Sequence, residues 1–285
     1  MEKDDTLRHQ RPGLLFLHAN GYPGGVYRQF LQHLSPVFDI TAVDRIGARP
    51  EHAPAQGWQR MRREVERALS DLAAAAPLTV VGHSMGGYLA AMVAACARHP
   101  VSAVVLVESP LVLGWRGAVL SAAKLSGATW RVGPAPVAAR RRHYWHSREE
   151  ARAHLAAKHF VQRWAPGVLD DFIRDGLTEH PGGGVTLTIP REAERAIYAT
   201  IAHREAIRAV RALRARGVPA HFIAGRDSEE LRLAGRDANR RFWGEHWHEL
   251  PTGHLVPMEA PQACAEKVLE LLRDQTASRP GRLTP

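Results

Sequence analysis

Two rhythms of apolar residues alternate along the first part of the chain. Short, nearly continuous apolar runs occupy residues 14–18, 40–43, 78–81 and 101–107, the last rich in valine. Runs of this length, bounded by Gly, Pro and Asp, predict strands buried on both faces. Between them, Tyr27, Phe30, Leu31 and Leu34 recur at helical spacing, as do Met61, Val65, Ala68, Leu69 and Leu72. Each set predicts an amphipathic helix. A helix of small residues is expected over 88–98. Buried strands alternating with helices imply an α/β fold with a mostly parallel sheet flanked by helices.

The alternation breaks at Pro110. From there to about Tyr198 the pattern is helical and loop-like, and it holds Trp115, Trp130, Trp145 and Trp164, four of the seven tryptophans. This stretch reads as an inserted helical cap over the carboxyl edge of the sheet. The expected division is a core of 1–109 and 199–285 and a cap of 110–198. The cap tryptophans either line a ligand pocket or fasten the cap to the sheet. The sheet rhythm then resumes. Ala206, Ile207, Val210 and Leu213 mark a helix stopped by Gly217 and Pro219, residues 220–224 a strand, and 247–250 the last strand. Cys264, Val268, Leu271 and Leu272 mark a closing helix, and the polar tail after Asp274 is expected to fray. No internal repeat is evident.

Composition narrows the picture only slightly. The chain has 285 residues, 45% hydrophobic and 24% charged, with a net charge of +9 carried almost wholly by arginine, since only Lys3, Lys124, Lys158 and Lys267 are lysines. The basic residues are spread along the chain and accompany no nucleic-acid-binding motif, so no nucleic-acid partner is expected. The one dense run, Arg140-Arg141-Arg142, is either a solvated cap edge or an anion-attracting rim. No run approaches the ~20 apolar residues of a membrane span, and no membrane partner is expected. Residues 1–13 are polar and lack the apolar stretch of a secretory signal. Cys96 and Cys264 each fall on the apolar side of an expected helix and read as buried free thiols. That usage fits a reducing compartment, and a cytoplasmic location is expected. Oligomeric state is not legible.

The chemistry centres on Val80-Val81-Gly82-His83-Ser84-Met85-Gly86-Gly87, which joins the third strand to the small-residue helix. Gly-x-Ser-x-Gly between strand and helix is a nucleophile elbow. Its tight turn lifts the Ser84 hydroxyl at the carboxyl edge of the sheet, beside a helix N-terminus suited to an oxyanion. A serine hydroxyl needs a base, and the base needs a carboxylate to orient it. In this motif the chain order is Ser, acid, His. Of the 16 histidines, His254 lies directly after the last strand and projects from the edge that carries Ser84. His246 and His248 sit on or before that strand, and His83 is expected to support the turn. Two carboxylates obey the order: Glu108 at the end of the fourth strand and Asp227 just after the next-to-last, with Glu229 and Glu230 more distant. Acyl transfer also needs backbone donors for an oxyanion. Met85 should supply one, and Asn20, in the glycine-rich loop after the first strand, the other. His18 is expected to brace that loop.

These features resemble the α/β-hydrolase superfamily. His18-Ala19-Asn20-Gly21 resembles its His-Gly oxyanion motif, with Ala where Gly is usual; residues 80–87 match the elbow and Gly253-His254 the base segment. The likeness spans roughly 14–272. A group of bacterial relatives, with His-Ala-Asn-Gly-Phe-Pro near the start and a Leu-Asp-Ser-Pro-like segment, looks closest. The resemblance implies the superfamily's sheet and a helical cap inserted after the strand that follows the elbow helix. Only 17 residues precede His18, too few for the usual opening antiparallel strands, so a shortened sheet of about six strands is expected. The family's common acid position is Ser228 here. Some members, including haloalkane dehalogenases, place the acid at the end of the earlier strand, where Glu108 stands. Dehalogenase and epoxide hydrolase chemistry in those relatives uses an Asp nucleophile, whereas this chain has Ser84.

The expected catalytic set is therefore Ser84, His254 and Glu108, with Asn20 and Met85 as oxyanion donors and no metal or organic cofactor. The implied activity is that of a serine hydrolase, most simply on small to medium apolar carboxylic esters. A C–C, lactone or amide hydrolase or an acyltransferase could use the same groups. A small-molecule binding protein or receptor could keep the fold without turnover.

Overall fold

A computed structural model of the chain describes residues 11–72 and 78–277, with side chains to Arg273. The first ten residues and those after 277 lie outside the described part; the helix itself runs to Ala277, three residues past the point where the tail was expected to fray.

The elements follow in chain order. Strand β1 (Gly13–Leu17) leads to helix α1 (Arg28–Leu34), β2 (Asp39–Val43), α2 (Gln59–Leu72), β3 (Leu78–His83), α3 (Met85–Cys96) and β4 (Val101–Val107). Helices α4 (Gly114–Leu125) and α5 (Pro134–Arg140), strand β5 (Tyr144–Trp145), helices α6 (Arg148–Ala156) and α7 (Val168–Asp175), strands β6 (Leu177–Glu179) and β7 (Val185–Leu187) and helix α8 (Arg191–Ala199) come next. Helix α9 (His203–Ala215), β8 (Ala220–Gly225), α10 (Glu229–Ala234), α11 (Arg236–Trp243), β9 (Trp247–Leu250), α12 (Val256–Glu259) and α13 (Pro261–Ala277) complete the chain.

The main sheet has six strands in the order β2-β1-β3-β4-β8-β9, all parallel. Its inner strands are apolar on both faces because both are covered. Leu14 and Phe16 pack with Phe30 and Leu34 of α1 and Cys264, Val268 and Leu271 of α13. Leu15 and Leu17 turn the other way, toward Met61 and Val65 of α2, Leu89 and Val93 of α3, and Val210 and Leu213 of α9. The strand order reverses at β1, which lies between β2 and β3. In open α/β sheets the crevice beyond the strand ends at such a reversal is where ligands bind. The loop after β1 and the turn after β3 flank it.

Between β4 and α9 the chain leaves the sheet. This segment is mostly helical, and it also carries a small antiparallel sheet, β5-β7-β6, that periodicity did not reveal. Its strands are two or three residues long, too short to register a period of two.

Two sequence expectations are corrected here. Helix α3 begins at Met85 and ends at Cys96 rather than spanning 88–98. Pro100 lies just beyond, and a residue before proline avoids the helical region. Cys96 is exposed because that last turn runs past the packed part of the helix, while Cys264 is buried, and burial pushes its thiol well above the usual range.

Burial also sets the acid response. His18 is lowered to about 4, His83 to about 3 and His221 to about 4, in each case chiefly by desolvation. The His221 ring stands 5.0 Å from that of His246 and 5.6 Å from that of His248, and their charges reinforce the depression. Folded pKa values below the unfolded 6.5 mean that the unfolded chain binds more protons between pH 6.5 and about 4. The contribution of these three histidines is full above pH 6.5 and is lost as the pH falls through this window. Urea denaturation should show the midpoint falling steadily from pH 7 to pH ~4.5, and His221→Leu should flatten that slope. An unchanged slope in the variant would remove His221 from the account.

Candidate active site

Ser84 sits between β3 and α3 with φ 53° and ψ −114°, a conformation L-residues seldom adopt. The glycines around it permit the turn. A Cβ at Gly82 would stand 2.2 Å from the Gly86 carbonyl oxygen, and one at Gly86 would stand 2.1 Å from that of Leu17. The Ser84 amide donates to the Val107 carbonyl at 2.9 Å, which ties the turn to the end of β4.

The Ser84 hydroxyl donates to His254 Nε2 at 2.9 Å, and His254 Nδ1–H donates to Glu108 Oε2 at 2.9 Å. Glu108 is fully buried. Its Oε1 accepts from the Gly225 amide at 2.8 Å and its Oε2 also accepts from the Ser228 hydroxyl at 2.8 Å. Three donors thus fix the carboxylate in place, facing the imidazole. Desolvation alone would lower the His254 pKa, but the hydrogen bond and charge of Glu108, with Glu230 and Glu259 adding, outweigh it and hold the ring above its ordinary value.

The other acid candidates lie elsewhere. Asp227 is more than half exposed and pairs with Arg163 at 3.3 Å. Glu229 pairs with Arg232. Glu230 approaches His254 Nδ1 only to 4.0 Å and is half exposed. Glu259 accepts from the Gly253 amide and from Arg163, both at 2.9 Å, and so braces the loop that carries His254.

Met85 is the first residue of α3, where a backbone N–H has no acceptor within the helix. Asn20, on the loop after β1, is buried, and its side-chain amide donates to the Glu194 carbonyl at 3.0 Å. His18 fixes this loop: its Nε2 accepts from the Ile46 amide and its Nδ1–H donates to the Ala19 carbonyl, both at 2.8 Å. The Arg140–Arg142 run divides. Arg141 forms an ion pair with Glu194 at 3.0 Å, and both would lie within 3.2 Å of a Cβ at Gly21. Arg142 pairs with Glu150, and Arg140 is exposed. The four tryptophans of residues 110–198 divide too. Trp145 is buried and donates to His154 at 3.1 Å, Trp164 packs edge-on against Tyr22 beside the Asn20 loop, and Trp115 and Trp130 face outward.

One connection was not visible in the sequence. The Ala19 amide donates to Tyr27 Oη at 2.9 Å, Tyr27 Oη–H donates to His83 Nδ1 at 2.8 Å, and His83 Nε2–H donates to the His254 carbonyl at 2.9 Å. The chain links the loop after β1, the elbow and the loop after β9. It needs a neutral His83, and burial together with the charge of His254 holds that ring near pKa 3. Tyr27→Phe removes one acceptor and one donor from a dry site. We expect a loss of stability of about 1–3 kcal/mol and roughly tenfold in kcat, with KM little changed. A loss of stability with intact kcat would limit the network to folding.

These groups meet at one edge of a parallel α/β sheet, and the sequence comparison defines the class. The alpha/beta hydrolase family profile matches residues 14–267, and the chain belongs to that family. A search of curated protein sequences finds no match. Among solved structures, E-2-(acetamidomethylene)succinate hydrolase is similar at 17% identity and a TM-score of 0.69, covering 93% of this chain and 92% of that one. The enol-lactonase from Burkholderia xenovorans is similar at 20% identity and 0.61, covering 95% and 94%. An esterase from Thermogutta terrifontis is similar at 19% identity and 0.63, covering 93% and 91%. At these identities the likeness is one of fold.

Proposed function

We propose that this hydrolase-family chain is a serine hydrolase of carboxylic esters of small to medium size. The observation that carries the reading is the continuous relay Ser84 Oγ–H to His254 Nε2, His254 Nδ1–H to Glu108, built on a serine with φ 53°. In this reading His254 accepts the Ser84 proton as Oγ attacks the ester carbonyl. The amides of Met85 and Asn20 stabilise the oxyanion. Collapse of the tetrahedral intermediate expels the alcohol, which takes the proton from His254. Water, deprotonated by His254, then attacks the acyl-Ser84 and releases the acid. Glu108 keeps the imidazole in the tautomer that can accept at Nε2 and stabilises the imidazolium. The chemistry uses side chains and backbone amides alone.

The hydrogen-bonded relay favours turnover over a receptor that merely keeps the fold. The similar structures include an esterase and an enol-lactonase by name, so lactones are the nearest competing substrates. The test is steady-state profiling of the purified protein on p-nitrophenyl esters of graded chain length, lactones and anilides. Ester turnover should dominate. Because His254 must be neutral and its pKa is raised, kcat/KM should fall on the acid side with a limb above pH ~6.5. Turnover of lactones with inert esters would replace the ester reading.

A further inference from the structure

The outer face of the segment after β4 is built the wrong way round for a surface in water. In α4 two polar side chains point inward: the Ser121 hydroxyl donates to the Gly117 carbonyl and meets His203, and Lys124 donates to the Ile201 carbonyl at 2.6 Å. The outward stripe is Trp115, Ala118, Val119, Ala122 and Leu125, all exposed, at i, i+3, i+4, i+7 and i+10. Trp115 is 68% exposed and Leu125 91%. Trp130, Val132 and Val137 continue the exposure toward α5, so that six of the nine exposed large apolar side chains among the described residues fall within 115–137. Clustered exposure of this kind marks an interaction surface.

The segment that carries it bears charges of one sign, of which Arg141, Arg142 and Arg148 are paired with Glu194, Glu150 and Glu179. Residues 110–148 contain no Asp or Glu and seven Lys or Arg. Arg116 lies over the Trp115 ring at 4.7 Å, and Arg131 is exposed. Against Ala118 the stripe opens into a groove of about 350 Å³ between α4 and α9. Val112, Leu113 and Ile207 make its apolar wall, and Arg204, Arg208 and Arg211 its edge, one helical turn apart and all exposed. None of these three arginines has an ion pair or hydrogen bond among the described residues. The acid nearest in sequence, Glu205, is turned to a different face, 3.5 Å from where a Cβ of Gly57 would stand. No residue of the Ser84 site lines the groove.

We propose that this face docks on the surface of an anionic phospholipid bilayer, with the α4 stripe at headgroup depth and the α9 arginines on the phosphates. Trp and Leu on one side with unpaired arginines beside them is the arrangement of helices that lie in a membrane interface. A second copy fits less well, because a two-fold contact would set one arginine edge against the other. The association so proposed is peripheral, and no helix among the described residues is long and apolar enough to cross a membrane. It departs from the absence of a membrane partner expected from sequence.

The experiment is co-sedimentation of the full chain with phosphatidylcholine vesicles, with and without phosphatidylglycerol. The wild type should pellet with the anionic vesicles, remain in solution with phosphatidylcholine alone, and be released by high salt. One basic residue near such a surface is worth about fivefold in partitioning, so combined Arg204→Gln, Arg208→Gln and Arg211→Gln should weaken it about a hundredfold. Combined Trp115→Ser and Leu125→Ser should weaken it at least ~tenfold by removing buried apolar area. Both variants should keep the wild-type circular dichroism and the wild-type rate on a soluble ester. Brominated lipid should quench wild-type fluorescence and quench Trp115→Phe less. A wild type that stays in solution overturns the proposal, whether it is monomeric, pairs with itself or binds an acidic protein instead. Equal vesicle binding by wild type and both variants overturns it as well.

Discussion

Ser84→Ala should abolish turnover and covalent labelling together. A fluorophosphonate should label the wild-type protein at one serine and leave the variant unlabelled, with kcat down by at least ~10⁴-fold. The size of the effect follows from the role proposed for the group. Without Oγ there is no acyl-enzyme, and what survives is the contribution of the oxyanion donors and substrate binding. The substitution leaves the turn intact: alanine carries the same Cβ into the same φ, and Gly82 and Gly86, which make the close approach possible, are untouched. Thermal melting should therefore stay near wild type. His254→Ala should lose a comparable amount, since serine and base act as a unit. Labelling that persists at another serine, or a variant that keeps most of its rate, would sink the nucleophile assignment.

The sheet was legible because its inner strands obey one rule. Residues 14–17, 78–81, 101–107 and 220–224 are apolar runs interrupted only by Thr79, Ser102 and His221, and all lie in strands covered on both faces. Helices α10 and α11 were not read because their pattern is masked. Helix α11 buries only Asn239 and Trp243, and where periodicity needs an apolar residue it has Asn239. That side chain accepts from the Leu111 amide and donates to its carbonyl, both at 2.8 Å. It thereby anchors the chain just beyond Glu108, and a buried polar residue satisfied by a distant backbone leaves no periodic trace. The outward stripe of α4 is the opposite case: its apolar spacing is that of a buried helix face, yet it faces water.

Within the site, the residues named from sequence are those fixed by local grammar. Ser84 follows from its glycines, and His254 and Glu108 from their places at strand ends. What sequence could not provide is which groups meet across the fold. Tyr27 read as an ordinary core aromatic, and His83 as a support for its turn. Their hydrogen bonds join residues 56 and 171 positions apart. Ser228 read as the absence of a carboxylate. In place it caps α10 through the Leu231 amide and donates to Glu108, so a hydroxyl at the family's common acid position supports a carboxylate from the neighbouring strand.

That arrangement makes Glu108→Gln the other severe change expected. The carboxylate accepts from Gly225, Ser228 and His254 at once. A carboxamide cannot: with its oxygen toward the Gly225 amide, its NH₂ faces the His254 Nδ1–H. The ring escapes the clash by moving its proton to Nε2, where it can no longer accept from Ser84. Loss of the acid in a related triad by the same isosteric change costs about 10⁴-fold in kcat. A second signature separates this from simple unfolding. Glu108 is the largest of the groups raising the His254 pKa, against the desolvation that lowers it, so the residual activity should show its acid limb at lower pH than wild type. Ser228→Ala keeps the anion and removes one donor; it should cost about tenfold and leave the limb in place. Asp227→Asn should stay near wild type, because an exposed pair such as that with Arg163 is worth about 0–1 kcal/mol. Glu230→Gln, 4.0 Å from the ring and half exposed, should lower the limb slightly without the collapse. If Asp227→Asn shows the collapse while Glu108→Gln does not, the acid is Asp227 and its pairing with Arg163 must break in the working enzyme.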